Sequence, residues 1–508
     1  MQSRLGNSAM VKNTVSGVIN AAVGIRPARR WLVRWGQQRI SNRLVVNNED
    51  HMPLNTQKLR VQALRNLLSS IDRAIEERRI SPRVRARMVK TFIGNVVTGE
   101  PERMRPFRER YGYRPPAFLT ISPTKRCNLH CSGCYASSSA DNAETLDYEV
   151  FSRVLREKKQ EWGSHLTVIS GGEPFMYRDS GKTILDVFRE HSDNYFMVYT
   201  NGTLIDDALA QELAELGNVT PAISIEGWEQ DTDARRGKGV FGRLLDAMNR
   251  LRRHGVPFGI SVTATRHNAE TLISDEFTDF FFDEMGASYG WVFQYMPIGR
   301  SYAVDLMITP EQRKYLLERE LELMYEKDRF LVDFWNGGPI SRGCIAAGRS
   351  GGYFYVDWNG NCAPCVFFPY ALKNLYEMYE QGETITDVLE TDYFQALRKW
   401  QFDYTGRDGT RKVQNLYMTC PIRDHHDFAR GVIKAHQARP LDNDARDALE
   451  DAEYERRMVS YDHAVARLLD PKWEADVVER PAVTGTTVAE AAVSGEDQRI
   501  LRHSDRIE

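Results

Sequence analysis

The chain has 508 residues, of which 42% are hydrophobic and 27% are charged. This composition is typical of a globular enzyme and excludes a collagen-like, fibrous or wholly disordered protein. No apolar run reaches the ~18 to 20 residues that a membrane-spanning helix needs, and the basic first residues lack the apolar core and cleavage site of a signal peptide. We therefore expect a cytoplasmic protein, whose seven cysteines stay reduced and serve metal binding or chemistry rather than disulfides.

Charge is divided unevenly along the chain. Residues 1–115 contain 23 Lys and Arg against 8 Asp and Glu, a net charge of +15, whereas the whole chain carries −3. Residues 10–47 have the pattern of a basic amphipathic helix, interrupted near Pro27, with Trp31 and Trp35 set among arginines, and a helical pattern continues over residues 55–98. We interpret residues 1–115 as a helical arm that either packs on an acidic body or attaches to an anionic membrane surface.

From Phe118 onward, short apolar segments alternate with amphipathic helical ones at residues 147–162, 204–216 and 240–254. The apolar segments cover residues 118–122, 165–170, 195–200, 220–226, 256–263 and 289–296. This alternation predicts an α/β fold with a parallel sheet, and six such units predict a partial (β/α)6 TIM-like barrel over residues 116–305. In that architecture, chemistry belongs on the loops that follow the strands.

The first of these loops carries three cysteines within eight residues, Cys127, Cys131 and Cys134. Thiolates bind the irons of Fe-S clusters, and a cubane with four irons needs four ligands. Three cysteines from one loop therefore leave one iron open. The alternative is a structural zinc site, although such sites normally use four protein ligands.

A C-x3-C-x2-C loop after the first strand resembles that of the radical S-adenosylmethionine (radical SAM) enzymes, and the resemblance extends over residues 117 to about 300. It implies that Cys127, Cys131 and Cys134 hold a [4Fe-4S] cluster whose open iron binds SAM through its amino and carboxylate groups. It further implies that the reduced cluster cleaves SAM and that the resulting 5'-deoxyadenosyl radical abstracts hydrogen from a substrate. The resemblance does not indicate which residues are catalytic toward that substrate.

Further motifs at the predicted strand ends carry the same resemblance. "SGGEP" at residues 170–174 is similar to the family's GGE motif, "YTNG" follows at 199–202, and "SIEGWEQDTDARRG" at 224–237 is similar to the stretch that contacts the SAM ribose and carboxylate. By this match the SAM-binding residues are Gly171, Gly172, Glu173, Asn201, Ser224, Glu226 and Arg236, with Arg235 as the alternative to Arg236. One departure is Gly133, which occupies a position that is aromatic in many relatives, while Tyr135 lies beyond the third cysteine.

The remaining cysteines, Cys344, Cys362, Cys365 and Cys420, lie beyond the barrel. They resemble a SPASM or twitch extension, which carries auxiliary Fe-S clusters, but a full SPASM domain uses seven cysteines. The resemblance therefore implies one second [4Fe-4S] cluster. A zinc knuckle is the alternative, because Cys362 and Cys365 have C-x2-C spacing. His425 and His426 are spare candidate ligands.

We predict that residues 306–430 form this cysteine-rich module, that 431–475 are a helical segment and that 476–508 are a disordered tail.

The predicted protein is a radical SAM enzyme that modifies a peptide, protein or lipid and receives electrons from a donor such as flavodoxin or ferredoxin. No nucleic-acid motif is present. The basic arm adds the expectation of peripheral contact with the cytoplasmic membrane face. The alternative functions are a non-catalytic Fe-S electron carrier or scaffold that retains the fold, and a radical SAM barrel with a zinc knuckle.

Overall fold

The computed structural model describes residues 19–48, 51–97, 103–406 and 411–478. Within them, helices and strands alternate as the sequence predicts. The α-helices are α1 (Arg26–Ser41), α2 (Leu54–Glu76), α3 (Pro82–Met88), α4 (Arg105–Tyr111), α5 (Tyr148–Trp162), α6 (Ile184–Glu190), α7 (Asp207–Leu216), α8 (Glu229–Arg236), α9 (Val240–His254), α10 (Asp275–Asp279), α11 (Pro310–Glu326), α12 (Gly338–Ser341), α13 (Leu375–Glu380), α14 (Asp392–Thr405), α15 (Pro421–Asp424), α16 (His426–Ala435), α17 (Asn443–Glu450) and α18 (Ala452–Trp473).

Strands in the described ranges number fourteen, six of which follow the predicted apolar segments closely. They are β1 (Phe118–Ile121), β2 (Leu166–Ile169), β3 (Arg178–Asp179), β4 (Lys182–Thr183), β5 (Tyr195–Thr200), β6 (Val219–Ile225), β7 (Gly259–Ala264), β8 (Gly290–Gln294), β9 (Leu331–Asp333), β10 (Tyr355–Val356), β11 (Asn361–Ala363), β12 (Tyr370–Ala371), β13 (Lys373–Asn374) and β14 (Arg439–Pro440).

The main sheet has ten strands in the order β13-β11-β10-β1-β2-β5-β6-β7-β8-β9. Its six central strands, β1, β2, β5, β6, β7 and β8, pair in parallel, which confirms the predicted α/β fold with a partial barrel. The sheet also continues past the predicted barrel at both edges. Strand β9 pairs in parallel with β8, and β10 pairs in parallel with β1. The cysteine-rich region therefore extends the barrel sheet.

Side-chain alternation along each strand separates the barrel interior from the helical layer. On β5, Phe196 and Val198 are fully buried in the main apolar core. The intervening Met197 and Tyr199 line an internal cavity. Successive strand residues point to opposite faces, so hydrophobic residues at the first five positions of β5, from Tyr195 to Tyr199, indicate a strand with both faces covered.

Helices α1 and α2 of the basic arm form one layer against the body, and α3 and α4 follow them in the chain. Helix α1 packs on α2, where the buried Arg29 binds Asp72 and also reaches Glu76 at 3.1 Å. Helix α2 is fixed to the barrel by hydrogen bonds, among them one of 2.7 Å from Asn66 Nδ2 to the Met324 carbonyl. Residues 10–18 of the predicted helix lie outside the described residues. The expected break near Pro27 is present, because α1 begins one residue before that proline.

The C-terminal region is helical over α16, α17 and α18, and residues 479–508 of the predicted tail lie outside the part of the chain that the structure describes. Across the described ranges, every helix is too short or too polar to cross a membrane.

Candidate active site

The three loop cysteines follow β1 and line one cavity of about 270 Å³. Burial, with contributions from Glu173 and the other two thiols, raises the pKa of Cys127 to about 12. Burial also raises the pKa of Cys131, whereas the positive charge of Arg236 acts to lower it. Across the described ranges, no three His, Cys, Asp or Glu side chains lie close enough together to hold a metal ion as they stand. The thiols are therefore neighbours around one cavity without being preset at ligand spacing.

Arginines from two distant segments hold the backbone of this loop. The two terminal nitrogens of Arg300 donate to the carbonyls of Cys131 and Ser138, each at 2.5 Å. Arg235 donates from Nε to the Ser132 carbonyl at 3.1 Å. Sequence reasoning did not single out Arg300, because no spacing pattern connects a residue after β8 with a loop after β1. These contacts fix the path of the chain from the second cysteine, Cys131, to Ser138 beyond the third.

The glycine pair after β2 lies directly against the cysteine loop. The amides of Gly172 and Glu173 donate to the carbonyls of Thr124 and Arg126 at 2.9 and 2.8 Å. A Cβ atom at Gly172 would lie 2.2 Å from the Arg126 oxygen, so a side chain cannot be accommodated there. Both Gly171 and Gly172 line the cavity. The glycines thus permit a close approach between the two loops.

Glu173 and Asn201 connect the ends of β2 and β5. The carboxylate of the fully buried Glu173 accepts hydrogen bonds from Thr200 Oγ1 and the Asn201 amide, both at 2.8 Å. Burial raises its pKa to about 7. Glu173 is not among the cavity residues, whereas Asn201 is, with its Nδ2 donating to Asn128 at 2.9 Å and lying 3.6 Å from the Cys127 sulfur. Glu173 therefore positions the ends of β2 and β5 from behind the cavity wall.

The residues after β6 also include both side chains that line the cavity and one that lies behind its wall. Ser224, Arg235 and Arg236 line the cavity, whereas Glu226, which is 1% exposed, lies behind them. Glu226 pairs with Arg235 at 2.5 Å and accepts from Nε of Arg236 at 2.9 Å. Burial of Arg236 disfavours its charged form. Glu226 and the nearby thiols of Cys131 and Cys134 outweigh this effect and raise the pKa of Arg236. Both arginines thus line the cavity and contact Glu226, and Arg235 also donates to the loop backbone.

An aromatic ring does lie beside Gly133, although it comes from another strand end. A Cβ at Gly133 would stand 2.7 Å from the ring of Tyr295, which follows β8 and also lines the cavity. Tyr135 faces the glycine pair, and its hydroxyl accepts from the Gly171 amide at 3.0 Å. No sequence pattern points to Tyr295, because its contact with Gly133 spans the barrel.

The rest of the cavity wall is mostly apolar. Among its described lining residues, Arg235 and Arg236 alone belong to the Asp, Glu, Lys, Arg and His set. Away from the cysteine loop, the wall includes Phe118, Met197, Trp291, Phe334, Val366 and Phe367. The cavity therefore has a polar end at the cysteine loop and an apolar remainder.

The second set of cysteines is not gathered in one place. Cys344, Cys365 and Cys420 interact electrostatically with one another, and the Tyr353 hydroxyl lies 2.9 Å from the Cys365 sulfur. Cys362 lies on β11, is fully buried and has Asp357 and Lys373 as its charged neighbours. Burial raises the pKa of Cys362 well above its ordinary value.

The two histidines near Cys420 contact backbone. His425 Nε2 lies 2.9 Å from the Met418 carbonyl, and His426 Nδ1 lies 2.9 Å from the Ile422 carbonyl. His426 is buried, and burial lowers its pKa. Each ring thus has a local contact in the fold. Neither histidine interacts with the three neighbouring thiols in the contacts described.

Comparison with known proteins agrees with this arrangement. Residues 121–274 match the family model described as Radical SAM superfamily. The chain is 30% identical over 150 residues to Fe-coproporphyrin III synthase of Methanosarcina barkeri, covering 29% of this chain and 37% of that protein. It is 25% identical over 337 residues to the AdoMet-dependent heme synthase of the same organism, covering 61% and 92%.

A third relative is the sporulation killing factor maturation protein SkfB of Bacillus subtilis, which is 31% identical over 158 residues, covering 31% of this chain and 38% of that protein. The matches thus span little more than a third of two of these relatives and nearly all of the third. Members of the matched family use a [4Fe-4S] cluster and SAM, and their SPASM-type relatives carry auxiliary clusters. Residues 121–274 of this chain therefore match the radical SAM superfamily, and the relatives that it resembles over this segment are radical SAM enzymes.

Proposed function

We propose that this protein reductively cleaves SAM and uses the product to abstract a hydrogen atom from an organic substrate. The observation that carries this proposal is that three loop thiols, a glycine pair and Arg236 face one cavity after the parallel strands. When bound, the cluster and SAM supply the electron and the 5'-deoxyadenosyl radical that such chemistry needs. The protein supplies the binding groups and their orientation.

In this proposal Cys127, Cys131 and Cys134 ligate the cluster, and Arg236 meets the SAM carboxylate. An arginine suits that role because its planar guanidinium can bind a carboxylate with two hydrogen bonds. Glu226 keeps Arg236 charged and oriented from behind the cavity wall. Gly171, Gly172, Asn201 and Ser224 border SAM at the cavity, whereas Glu173 positions the strand ends without lining the cavity.

For the second site we propose an auxiliary Fe-S cluster with Cys344, Cys365 and Cys420 as its cysteine ligands. The electrostatic proximity of these three thiols supports this choice, and the position of Cys362 on β11 argues against four cysteines. The alternative, a zinc knuckle, is based on Cys362 and Cys365 as a C-x2-C pair of ligands. The separate position of Cys362 argues against it. Electrons would come from a separate low-potential carrier such as flavodoxin or ferredoxin.

The substrate class is open between a peptide or protein and a lipid. Among the relatives, one is by name a maturation protein and two are by name synthases of haem or a coproporphyrin. The exposed face of α1 supports contact with an anionic membrane. There Trp31 and Trp35 are 63% and 49% exposed, with their rings stacked at 6.4 Å, and Arg34 and Arg39 are exposed beside them. Exposed Trp and Arg on one helix are typical of interfacial helices.

The test of the core proposal is SAM cleavage. Anaerobically reconstituted, reduced protein is expected to convert SAM to 5'-deoxyadenosine, measured by liquid chromatography. Cys127→Ala, Cys131→Ala and Cys134→Ala should each abolish the product, because each removes a cluster ligand. Cys362→Ala is the matched control and should retain cleavage. Equal cleavage by all four variants would exclude the loop as the cluster site, and no cleavage by wild-type protein with a full complement of iron would favour a non-catalytic Fe-S protein.

A further inference from the structure

The apolar part of the cavity limits what kind of substrate can reach the SAM end. The cavity walls come from the inward faces of the six central strands and from the segment after β11. Phe118 belongs to β1, Met197 to β5 and Trp291 to β8, whereas Val366 and Phe367 follow β11. Among the described lining residues, the two arginines at the polar end carry the formal charge. Thr120, Ser261, Thr263 and Gln294 also line the cavity, and Trp291 Nε1 and Gln294 Oε1 are buried without a hydrogen-bond partner. A group entering this part thus exchanges water for a mainly hydrocarbon and aromatic surface that holds a few hydrogen-bonding groups.

An aromatic cluster closes the gap between the two edges of the barrel. Phe334 and Trp335 follow β9 at one edge, and Phe367 follows the β10–β11 hairpin at the other. The ring of Phe367 lies 5.6 Å from Phe334 and 4.9 Å from Trp335, centroid to centroid. Phe293 contacts the same ring at 5.8 Å. The side of the barrel at which β8, β9 and β10 meet is therefore an apolar aromatic surface.

This surface discriminates between the two substrate classes. A peptide segment carries an N–H and a C=O at nearly every residue, and burial of such groups without hydrogen-bond partners costs roughly 1–3 kcal/mol each by protein mutational measurements. A hydrocarbon chain carries none and gains about 0.8 kcal/mol for each CH2 that it buries. The apolar walls therefore favour an alkyl or isoprenoid chain over a peptide backbone.

Helix α2 connects the apolar part of the cavity with the exposed arm. Leu59 and Ala63 of α2 belong to an apolar cluster that also contains Tyr199 and Trp291, two residues of the cavity wall. On its other side, α2 carries α1 through the ion pairs of Arg29. The face with Trp31 and Trp35 is thus one helical layer away from the cavity wall. A membrane bound by α1 would lie on the side of the body that α2 covers.

We propose that the substrate of this site is a lipid whose hydrocarbon chain enters the apolar part of the cavity and presents a carbon–hydrogen bond to the SAM end. This inference rests on the proposed radical SAM function and specifies its substrate class. Hydrogen transfer from that bond to the 5'-deoxyadenosyl radical gives 5'-deoxyadenosine and a carbon radical on the chain. The lipid is drawn from an anionic membrane that α1 contacts through Trp31, Trp35 and their neighbouring arginines.

The test measures chain binding separately from catalysis. Reconstituted holoenzyme with SAM is dialysed to equilibrium against radiolabelled decanol, with an unlabelled, end-blocked leucine-rich heptapeptide as competitor. We expect saturable decanol binding that the peptide does not displace. Met197→Trp, which fills the cavity, and Val366→Asp, which places a charge in its wall, should each weaken binding about tenfold or more. Leu204→Trp is the matched control, because Leu204 is 37% exposed and lies outside the cavity.

Iron content and SAM cleavage without substrate are measured on the same samples, so that failure of the proposed function can be told apart from failure of this inference. Normal cleavage with no saturable decanol binding, or with decanol displaced by the peptide, would overturn the lipid assignment in favour of a peptide. Equal decanol binding by Val366→Asp, Met197→Trp and wild-type protein would also overturn it. Decanol binding that persists without any SAM cleavage would retain the chain site and reject the radical chemistry.

Discussion

Cys362 and Cys365, the two thiols of the C-x2-C pair, have different surroundings in the fold. It lies within β11, where it pairs with Val356 of β10 and Lys373 of β13, and its side chain is fully buried. Cys365 follows the end of that strand and approaches Cys344 and Cys420 instead. The C-x2-C spacing alone suggested that both cysteines share a site, but in a strand and its exit such a pair need not face the same way.

This difference leads to a prediction on iron content. Wild-type protein is expected to bind about eight irons per chain if two [4Fe-4S] clusters form. Cys362→Ser should keep that value, whereas Cys344→Ser, Cys365→Ser and Cys420→Ser should each reduce it to about half. Colorimetric iron and zinc analysis of anaerobically purified protein measures both metals. If Cys362→Ser loses as much iron as Cys365→Ser, Cys362 is a ligand; one zinc with about four irons would establish the knuckle.

Asp462 is a second residue with a measurable signature. It is 7% exposed on α18 and accepts a 2.8 Å hydrogen bond from the His426 amide, and burial raises its pKa to about 8. An unfolded aspartate titrates near 3.9. Between about pH 4 and 8, the unfolded chain therefore loses a proton that the folded chain keeps, so the free energy of unfolding falls as pH rises through this window.

Asp462→Asn removes this titration. We expect the variant to match wild-type stability near pH 4 and to exceed it at pH 8 by about 1–3 kcal/mol, as measured by urea denaturation of the protein across that range. The exposed Asp246→Asn serves as control and should change stability by less than about 0.5 kcal/mol. A constant difference between Asp462→Asn and wild-type protein at every pH would contradict the raised pKa.

At the scale of elements, the cysteine loop owes its shape to residues far away in sequence. Arg300 binds two of its carbonyls, and its own amide donates to the Cys134 carbonyl at 3.0 Å. Arg300→Ala is expected to lower iron retention by the loop, because the loop backbone loses two charge-assisted hydrogen bonds. Arg300→Lys should restore part of the retention. The control Arg243→Ala, on the exposed face of α9, should have no effect, and full retention in Arg300→Ala would show that the loop does not need this support.

The arm makes a separate prediction. Flotation with vesicles of anionic lipid should carry the full chain upward at low salt, since each basic residue near such a surface adds about 1 kcal/mol and the Trp pair inserts into the interface. Trp31→Ala/Trp35→Ala and Arg34→Gln/Arg39→Gln should each reduce flotation strongly, and added salt should weaken it. Tyr315→Ala/Tyr325→Ala, an exposed aromatic pair on α11, is the control. A chain that stays in the soluble fraction at low salt would remove the support for membrane contact.

The elements differ in how far the sequence predicts them. The six central strands were predictable because each is a short apolar run between helical patterns, and β5 and β6 match their expected ranges almost residue for residue. The parallel pairings of β9 and β10 with the barrel were not, because a strand of two or three residues carries no signal for its partner. Their roles depend on pairing with β8 and β1. The loop cysteines, the glycine pair and Arg236 were predictable from local motifs, whereas Arg300 and Tyr295 act through contacts across the barrel.

On the scale of the whole molecule, one sheet connects the two cysteine sites. The loop after β1 carries Cys127, Cys131 and Cys134, and β1 pairs directly with β10, whose hairpin leads to Cys365. The cavity adjoins both, since it is lined by the three loop thiols and by Tyr353, whose hydroxyl contacts the Cys365 sulfur. The arm is attached to the same barrel through α2. The fold thus places the loop cysteines, Cys365 and the cavity around one sheet.

The most direct test of this account asks whether the loop cluster has an open iron that SAM occupies. The triple variant Cys344→Ser/Cys365→Ser/Cys420→Ser is expected to retain the loop cluster alone, at about four irons per chain. In its reduced state, the electron paramagnetic resonance spectrum should change when SAM is added, and a further Arg236→Ala substitution should raise the SAM concentration needed for that change about tenfold or more. A four-iron spectrum that is unaltered by saturating SAM would contradict the account.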